Sequence, residues 1–139
     1  MTTIHDIASA MESLAPLELA EKWDNVGLLV GKYDAQVKRV MIALDMDSKT
    51  ALEAVEKKAD LVITHHPIML EPINRITDRT ARGPIIMQLI KHDVAMYAAH
   101  TNLDSADGGV NDILAERLGL LDVEKLWTQG FDGNARTGF

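Results

Sequence analysis

Two short clusters of metal-binding residue types stand out in this chain of 139 residues: His65-His66 followed by Pro67, and His100-Thr101-Asn102-Leu103-Asp104. Imidazole is a borderline ligand that suits zinc, iron, nickel or manganese, and it binds when neutral. In mid-strand, adjacent histidines would face opposite sides of a sheet. At a strand end running into a proline the backbone can turn, so that both rings reach one cavity. A carboxylate among three histidines can bridge two cations and offset part of their charge. Two cations about 3.5–4 Å apart would share a water and lower its pKa, which points to metal-assisted hydrolysis. Asp104 is therefore the candidate bridge, with His65 and His66 as candidate ligands. His100 would bind directly, move protons, or orient a ligand from behind. The plainer alternative is that the histidines are capping or surface residues and Asp104 caps the following turn.

Weaker candidates surround these clusters. Asp45 is a site-facing acid that could move protons, or another turn former. Asp47 or Ser48 caps a helix. Trp23, Asp24 and Asn25 are expected to line the same cavity, together with Thr101 and Asn102. Gly27 equally suits a backbone turn, and Gly108-Gly109 could turn bare amides toward an anion. There is no lysine-containing phosphate loop and no dinucleotide fingerprint. Ser48 and Ser105 lack a visible base partner. His5 and His92 read as structural or solvated, and the seven methionines as core packing.

The elements that must position these residues follow from hydrophobic periodicity. Ile4, Ile7, Ala8, Met11 and Leu14 predict an opening helix, with Thr3 and Asp6 as a weak capping pair and Pro16 as a stop. Leu28-Leu29-Val30 reads as a short buried strand. Val37 to Leu44 is a second strand, whose run Val40-Met41-Ile42-Ala43-Leu44 barely alternates, as expected when both sheet faces are covered. A helix with Ala51, Leu52, Val55 and Ala59 on one side follows, then the strand Leu61-Val62-Ile63-Thr64. Pro84 starts another helix with a stripe of Ile85, Ile86, Leu89 and Ile90. Val94 to Ala99 is the next strand, and a last helix carries Val110, Ile113, Leu114 and Leu118 up to Gly119.

Strands alternating with amphipathic helices predict an α/β fold: a mostly parallel sheet with flanking helices. Ligands of such sheets gather at the carboxyl ends of strands. Asp45, the histidine pair and the His100–Asp104 cluster all fall there. The expected domain spans residues 1–126. Residues 127–139, with three glycines and three aromatics and no period, read either as a flexible tail or as the start of a missing second half.

Composition sets outer limits. Asp and Glu number 21 against 14 Lys and Arg, giving a formal charge of −7, so binding driven by phosphate backbones is disfavoured. Cysteine is absent, which excludes disulfides and thiolate chemistry. No apolar run approaches the roughly 20 residues of a membrane span, and the start has no secretory pattern, so a cytoplasmic location is expected.

Three blocks carry a resemblance. They are Trp23-Asp24-Asn25-Val26-Gly27-Leu28, Asp60-Leu61-Val62-Ile63-Thr64-His65-His66-Pro67, and His100 to Asp104 running on to Gly108-Gly109-Val110-Asn111. Together they resemble the Nif3 family, whose bacterial members are often called GTP cyclohydrolase 1 type 2 homologs. The resemblance implies a dinuclear divalent-metal centre, with zinc, manganese, iron or nickel as candidates. It makes the residues matching His65 and His66 ligands and the one matching Asp104 the bridge, with His100 at or beside the site. It implies further ligands from a His-x-x-x-Glu pair in a second half, and this sequence contains no such pair. The half-site is thus expected to hold one ion, or up to two if completed. Catalysis is an open question between a hydrolase acting on GTP or a phosphoester and a non-catalytic regulatory or scaffold protein. The family's assemblies imply a homo-oligomer, from dimer to hexamer, or a second chain that supplies the missing half.

Overall fold

A computed structural model describes residues 1–124. The tail expected at residues 127–139 lies outside the described residues. The chain begins with α1 (Ile4–Leu14), whose N-terminus is held by a full capping box: Thr3 Oγ1 accepts from Asp6 N–H, and the Asp6 carboxylate accepts from Thr3 N–H at 2.8 Å. The aspartate therefore does the work more often given to Glu or Gln. Ala15 caps the other end ahead of Pro16, and a short 3-10 turn (Leu17–Leu19) leads away.

Four strands follow in the chain: β1 (Gly27–Val30), β2 (Val40–Ala43), β3 (Leu61–Thr64) and β4 (Ala95–Ala98). They form one sheet in the order β1-β4-β3-β2. The β2–β3 and β3–β4 pairs are parallel, and β1 joins β4 antiparallel at the edge. The parallel pairs are joined by α2 (Ser48–Glu56) and α3 (Gly83–Lys91), the crossover connections that parallel strands require. Asp47 is the N-cap of α2, and Pro84 sits in the first turn of α3. Two short helices, α4 (Thr101–Ser105) and α5 (Val110–Arg117), complete the described chain.

Two cores sandwich the sheet. On one face α2 and α3 pack Ala51, Ala54, Ile86 and Leu89 against Val62 and Met96. On the other, α1 packs Ile4 and Ala8 against Leu61, Ala95 and Tyr97. Tyr97 is the largest fully buried side chain. Its hydroxyl has no hydrogen-bond partner among the described residues, and burial, helped by nearby Glu12 and Tyr33, pushes its pKa up to about 12.

Some sequence expectations are corrected here. β2 is an edge strand with one covered face: Met41 and Ala43 pack on the α2–α3 core, while Val40 and Ile42 face outward and Ile42 is 80% exposed. The core that α1 forms takes in residues of β3 and β4 and none of β2. Leu52 and Ile90 are exposed, so the buried stripes run through Ala51 and Ala54 in α2 and through Ile85, Ile86 and Leu89 in α3. The apolar stripe of α5 is present in sequence, yet none of its residues is buried among the described ones.

Candidate metal centre

The strand ends bring the two histidine-bearing segments together. β3 and β4 are parallel neighbours with Thr64 opposite Ala98, so the segments His65-His66 and Ala99-His100 emerge side by side. Beyond β3 the backbone turns. His66 N–H donates to Leu44 O at 3.0 Å and Thr64 Oγ1 donates to His66 O at 2.8 Å, which brings the His66 ring round beside its neighbour. The ring centroids of His65 and His66 are 4.9 Å apart, those of His65 and His100 5.0 Å, and those of His66 and His100 5.4 Å. One ring nitrogen from each of the three lies within 4.8 Å of the other two.

The hydrogen bonds decide which nitrogens are free. His65 Nδ1 lies 2.9 Å from Ala99 O, a carbonyl that can only accept, so Nδ1 carries the hydrogen. In the neutral ring the Nε2 lone pair then faces Asp104 Oδ1 at 3.7 Å. Two acceptors facing each other at that distance are a natural seat for a cation. His66 Nδ1 likewise bonds Asp45 Oδ1 at 2.7 Å, and His100 Nδ1 lies 3.0 Å from Asp24 Oδ1. Asp104 itself sits on α4, with its backbone N–H donating to His100 O at 3.1 Å and its carbonyl accepting from Asn111 Nδ2 at 3.0 Å.

The donor chemistry fits a divalent ion. Donors each about 2.0–2.2 Å from one cation lie at most about 4.3 Å apart, and the 3.7 Å between His65 Nε2 and Asp104 Oδ1 is within that span. The site faces solvent unevenly: the side chains of His65, Asp104 and His100 are mostly covered, while those of His66 and Asp45 are about half exposed.

The remaining sequence candidates fall around this centre in different ways. Asp45 faces His66 rather than standing free at the centre. Trp23 is exposed and meets the His100 ring edge-on at 6.2 Å. Asn25 Nδ2 donates to Met69 O, tying its loop to the segment after the histidine pair. Thr101 and Asn102 are buried. The Thr101 hydroxyl donates to Asp24 and accepts from Glu21 N–H at 3.0 Å, while Asn102 bonds His100 N–H at 2.9 Å and Ala15 O at 2.8 Å. Their polar atoms thus hold the loop together. Asp24 is the residue whose part is least visible in sequence. Burial alone would raise its carboxyl, but bonds from the Thr101 hydroxyl, His100, and the N–H groups of Asn25 and Thr101 outweigh that and hold it below the usual carboxylate value. A separate apolar cavity of about 570 Å³, lined by Val30, Ile86, Leu89 and Val94 among others, shares no lining residue with the histidine cluster.

A model of the Duf34/NIF3 family (NGG1p interacting factor 3) matches residues 2–138. The chain belongs to the Duf34/NIF3 family. Within that family it is 44% identical over 130 residues to a GTP cyclohydrolase 1 type 2 homolog of Listeria innocua, an alignment covering 91% of this chain and 35% of that protein. A Streptomyces coelicolor protein of the same description is 41% identical over 138 residues, covering 99% of this chain and 48% of its own length. The crystal structure of a Bacillus cereus protein related to NIF3 superposes with a TM-score of 0.87 at 43% identity, over 93% of this chain and 35% of that one. This Duf34/NIF3 chain therefore spans about a third to a half of the length of these relatives. No helix among its described residues is long and apolar enough to cross a membrane.

Proposed function

We propose that this chain is a divalent-metal-binding module in which His65, His66, His100 and Asp104 supply the ligands. The observation that carries the reading is the facing pair: His65, held by the Nδ1 bond to Ala99 O so that its neutral ring keeps the lone pair on Nε2, presents that nitrogen 3.7 Å from the Asp104 carboxylate. Zinc, manganese, iron and nickel all suit this set of imidazole and carboxylate donors. A bound cation would supply Lewis acidity for a hydrolytic step. Asp104 would bind and, with a second cation, bridge. Asp45 orients His66, and His100 or Asp45 would hold a proton near the reacting group.

The hydrolase reading draws on relatives described as GTP cyclohydrolase 1 type 2 homologs, with GTP or a phosphoester as substrate. A non-catalytic metal-binding, regulatory or scaffold role is favoured by a count of donors. The described site offers three imidazoles within reach of one another and, besides Asp45 and Asp24, which are bonded to ring nitrogens, the Asp104 carboxylate, whereas two cations each need about three or four ligands. A second copy of the chain or another polypeptide would complete such a pair, and the exposed apolar residues of β2 and α5 give it a surface to meet.

Equilibrium dialysis of the full chain against Zn²⁺ or Mn²⁺, followed by elemental analysis, tests the reading. We expect about one retained ion per chain, with binding weakened at least tenfold in His65→Ala and Asp104→Ala proteins whose circular dichroism is unchanged. A wild-type chain that retains no metal, or variants that retain it equally, would overturn the reading. Turnover of GTP and simple phosphoesters by the loaded protein separates the hydrolase from the binding role.

A further inference from the structure

We propose that Asp24 is a positioning residue that locks His100 in the Nδ1–H tautomer and so keeps its Nε2 lone pair available to the histidine cluster. This deepens the metal reading above and rests on it for its consequence, though not for its geometry. The Asp24 side chain is 0% exposed, while that of His100 is 17% exposed. Around the buried carboxylate stand His100 Nδ1 at 3.0 and 3.1 Å from its two oxygens, Thr101 N–H at 3.1 Å, Asn25 N–H at 2.8 Å and the Thr101 hydroxyl.

The backbone groups in this ring can only donate. The hydroxyl is committed as well, because Thr101 Oγ1 already accepts from Glu21 N–H at 3.0 Å and so turns its hydrogen to Asp24. A carboxylate ringed by donors has no hydrogen of its own to give, so the one shared with His100 must sit on Nδ1. In a neutral imidazole the lone pair then falls on Nε2, the tautomer that metal-binding histidines are usually held in by such partners. The main chain is fixed too, since His100 N–H donates to Asn102 Oδ1 at 2.9 Å. The same loop reaches the other cluster through Asn25 and Met69 O. The segment Trp23-Asp24-Asn25 thus braces both histidine-bearing loops at once, although it lies 76 residues from His100 in sequence.

Nitrogen-15 NMR of the histidine rings in the metal-free full chain reads the tautomer directly. The wild-type His100 should show hydrogen on Nδ1, and Thr101→Val, which removes one donor but leaves the carboxylate on the ring, should not change it. In Asp24→Asn the amide offers its own N–H to the ring. His100 should then populate the Nε2–H form, with Zn²⁺ binding weakened about 10–100-fold. A wild-type His100 carrying hydrogen on Nε2 would overturn the proposal without any variant, as would an Asp24→Asn protein with unchanged tautomer and affinity. Absence of Zn²⁺ binding by the wild type would instead defeat the metal reading, and the tautomer measurement would still stand.

Discussion

Asp47 and Asp24 both lie low in pKa for reasons of hydrogen bonding, but they differ in what they hold. Asp47 is exposed and accepts Thr50 N–H at 2.7 Å as the N-cap of α2. That bond, with help from the Thr50 hydroxyl, keeps its carboxyl below the ordinary value of 3.8. A carboxylate whose folded-state pKa is depressed contributes stability that is complete above the unfolded value and disappears as pH falls through the folded one. Asp47→Ala should therefore lower Tm by roughly 4 °C at neutral pH. The gap from wild type should close in thermal melts taken below pH 3.8, and a gap that stayed constant into that range would contradict the capping account. At this scale the candidate ligands were legible, because the histidines stand where apolar strand runs end. The part played by Asp24 was not, since a short acidic residue in a polar turn looks the same whether it caps locally or reaches a ring 76 positions away.

Among the elements, β3 and β4 are the ones that set the site, and both were readable from continuous apolar runs bounded by polar turns. β2 was misread for a physical reason: an unbroken apolar run reports side-chain chemistry, and it says nothing of whether a helix reaches over the second face. The edge strand β1 depends on a close approach to β4. Gly31, at φ +127°, ends β1, and a Cβ there would lie 2.6 Å from Ala95 Cβ and 3.1 Å from Ala95 Cα. Gly119, after α5, also has positive φ (+68°) but open space around it. Gly119→Ala should thus cost only the left-handed strain of about 1–2 kcal/mol. Gly31→Ala adds the clash with β4 and should cost about 2 kcal/mol more by urea denaturation. Equal costs for the two would show that β1 and β4 are not so tightly apposed.

For the whole molecule, the α/β class and the placing of the site at the carboxyl ends of parallel strands followed from the alternation of periods, because crossover helices admit few topologies. The outward faces did not follow. Ile113, Leu114 and Leu118 form an apolar stripe in sequence, yet they are exposed, Leu118 by 66%. The relatives are two to three times as long as the aligned region, and an apolar stripe read from sequence does not say what covers it. The account nonetheless depends on one local arrangement, His65 Nε2 at the end of β3 facing the Asp104 carboxylate of α4 at 3.7 Å. Anomalous diffraction from crystals of the full chain grown with Mn²⁺ or Zn²⁺ tests it most directly. The account predicts a peak about 2.0–2.2 Å from both His65 Nε2 and an Asp104 carboxylate oxygen. A difference map with no peak there, while the metal appears elsewhere or the two side chains hydrogen-bond directly to each other, would contradict it.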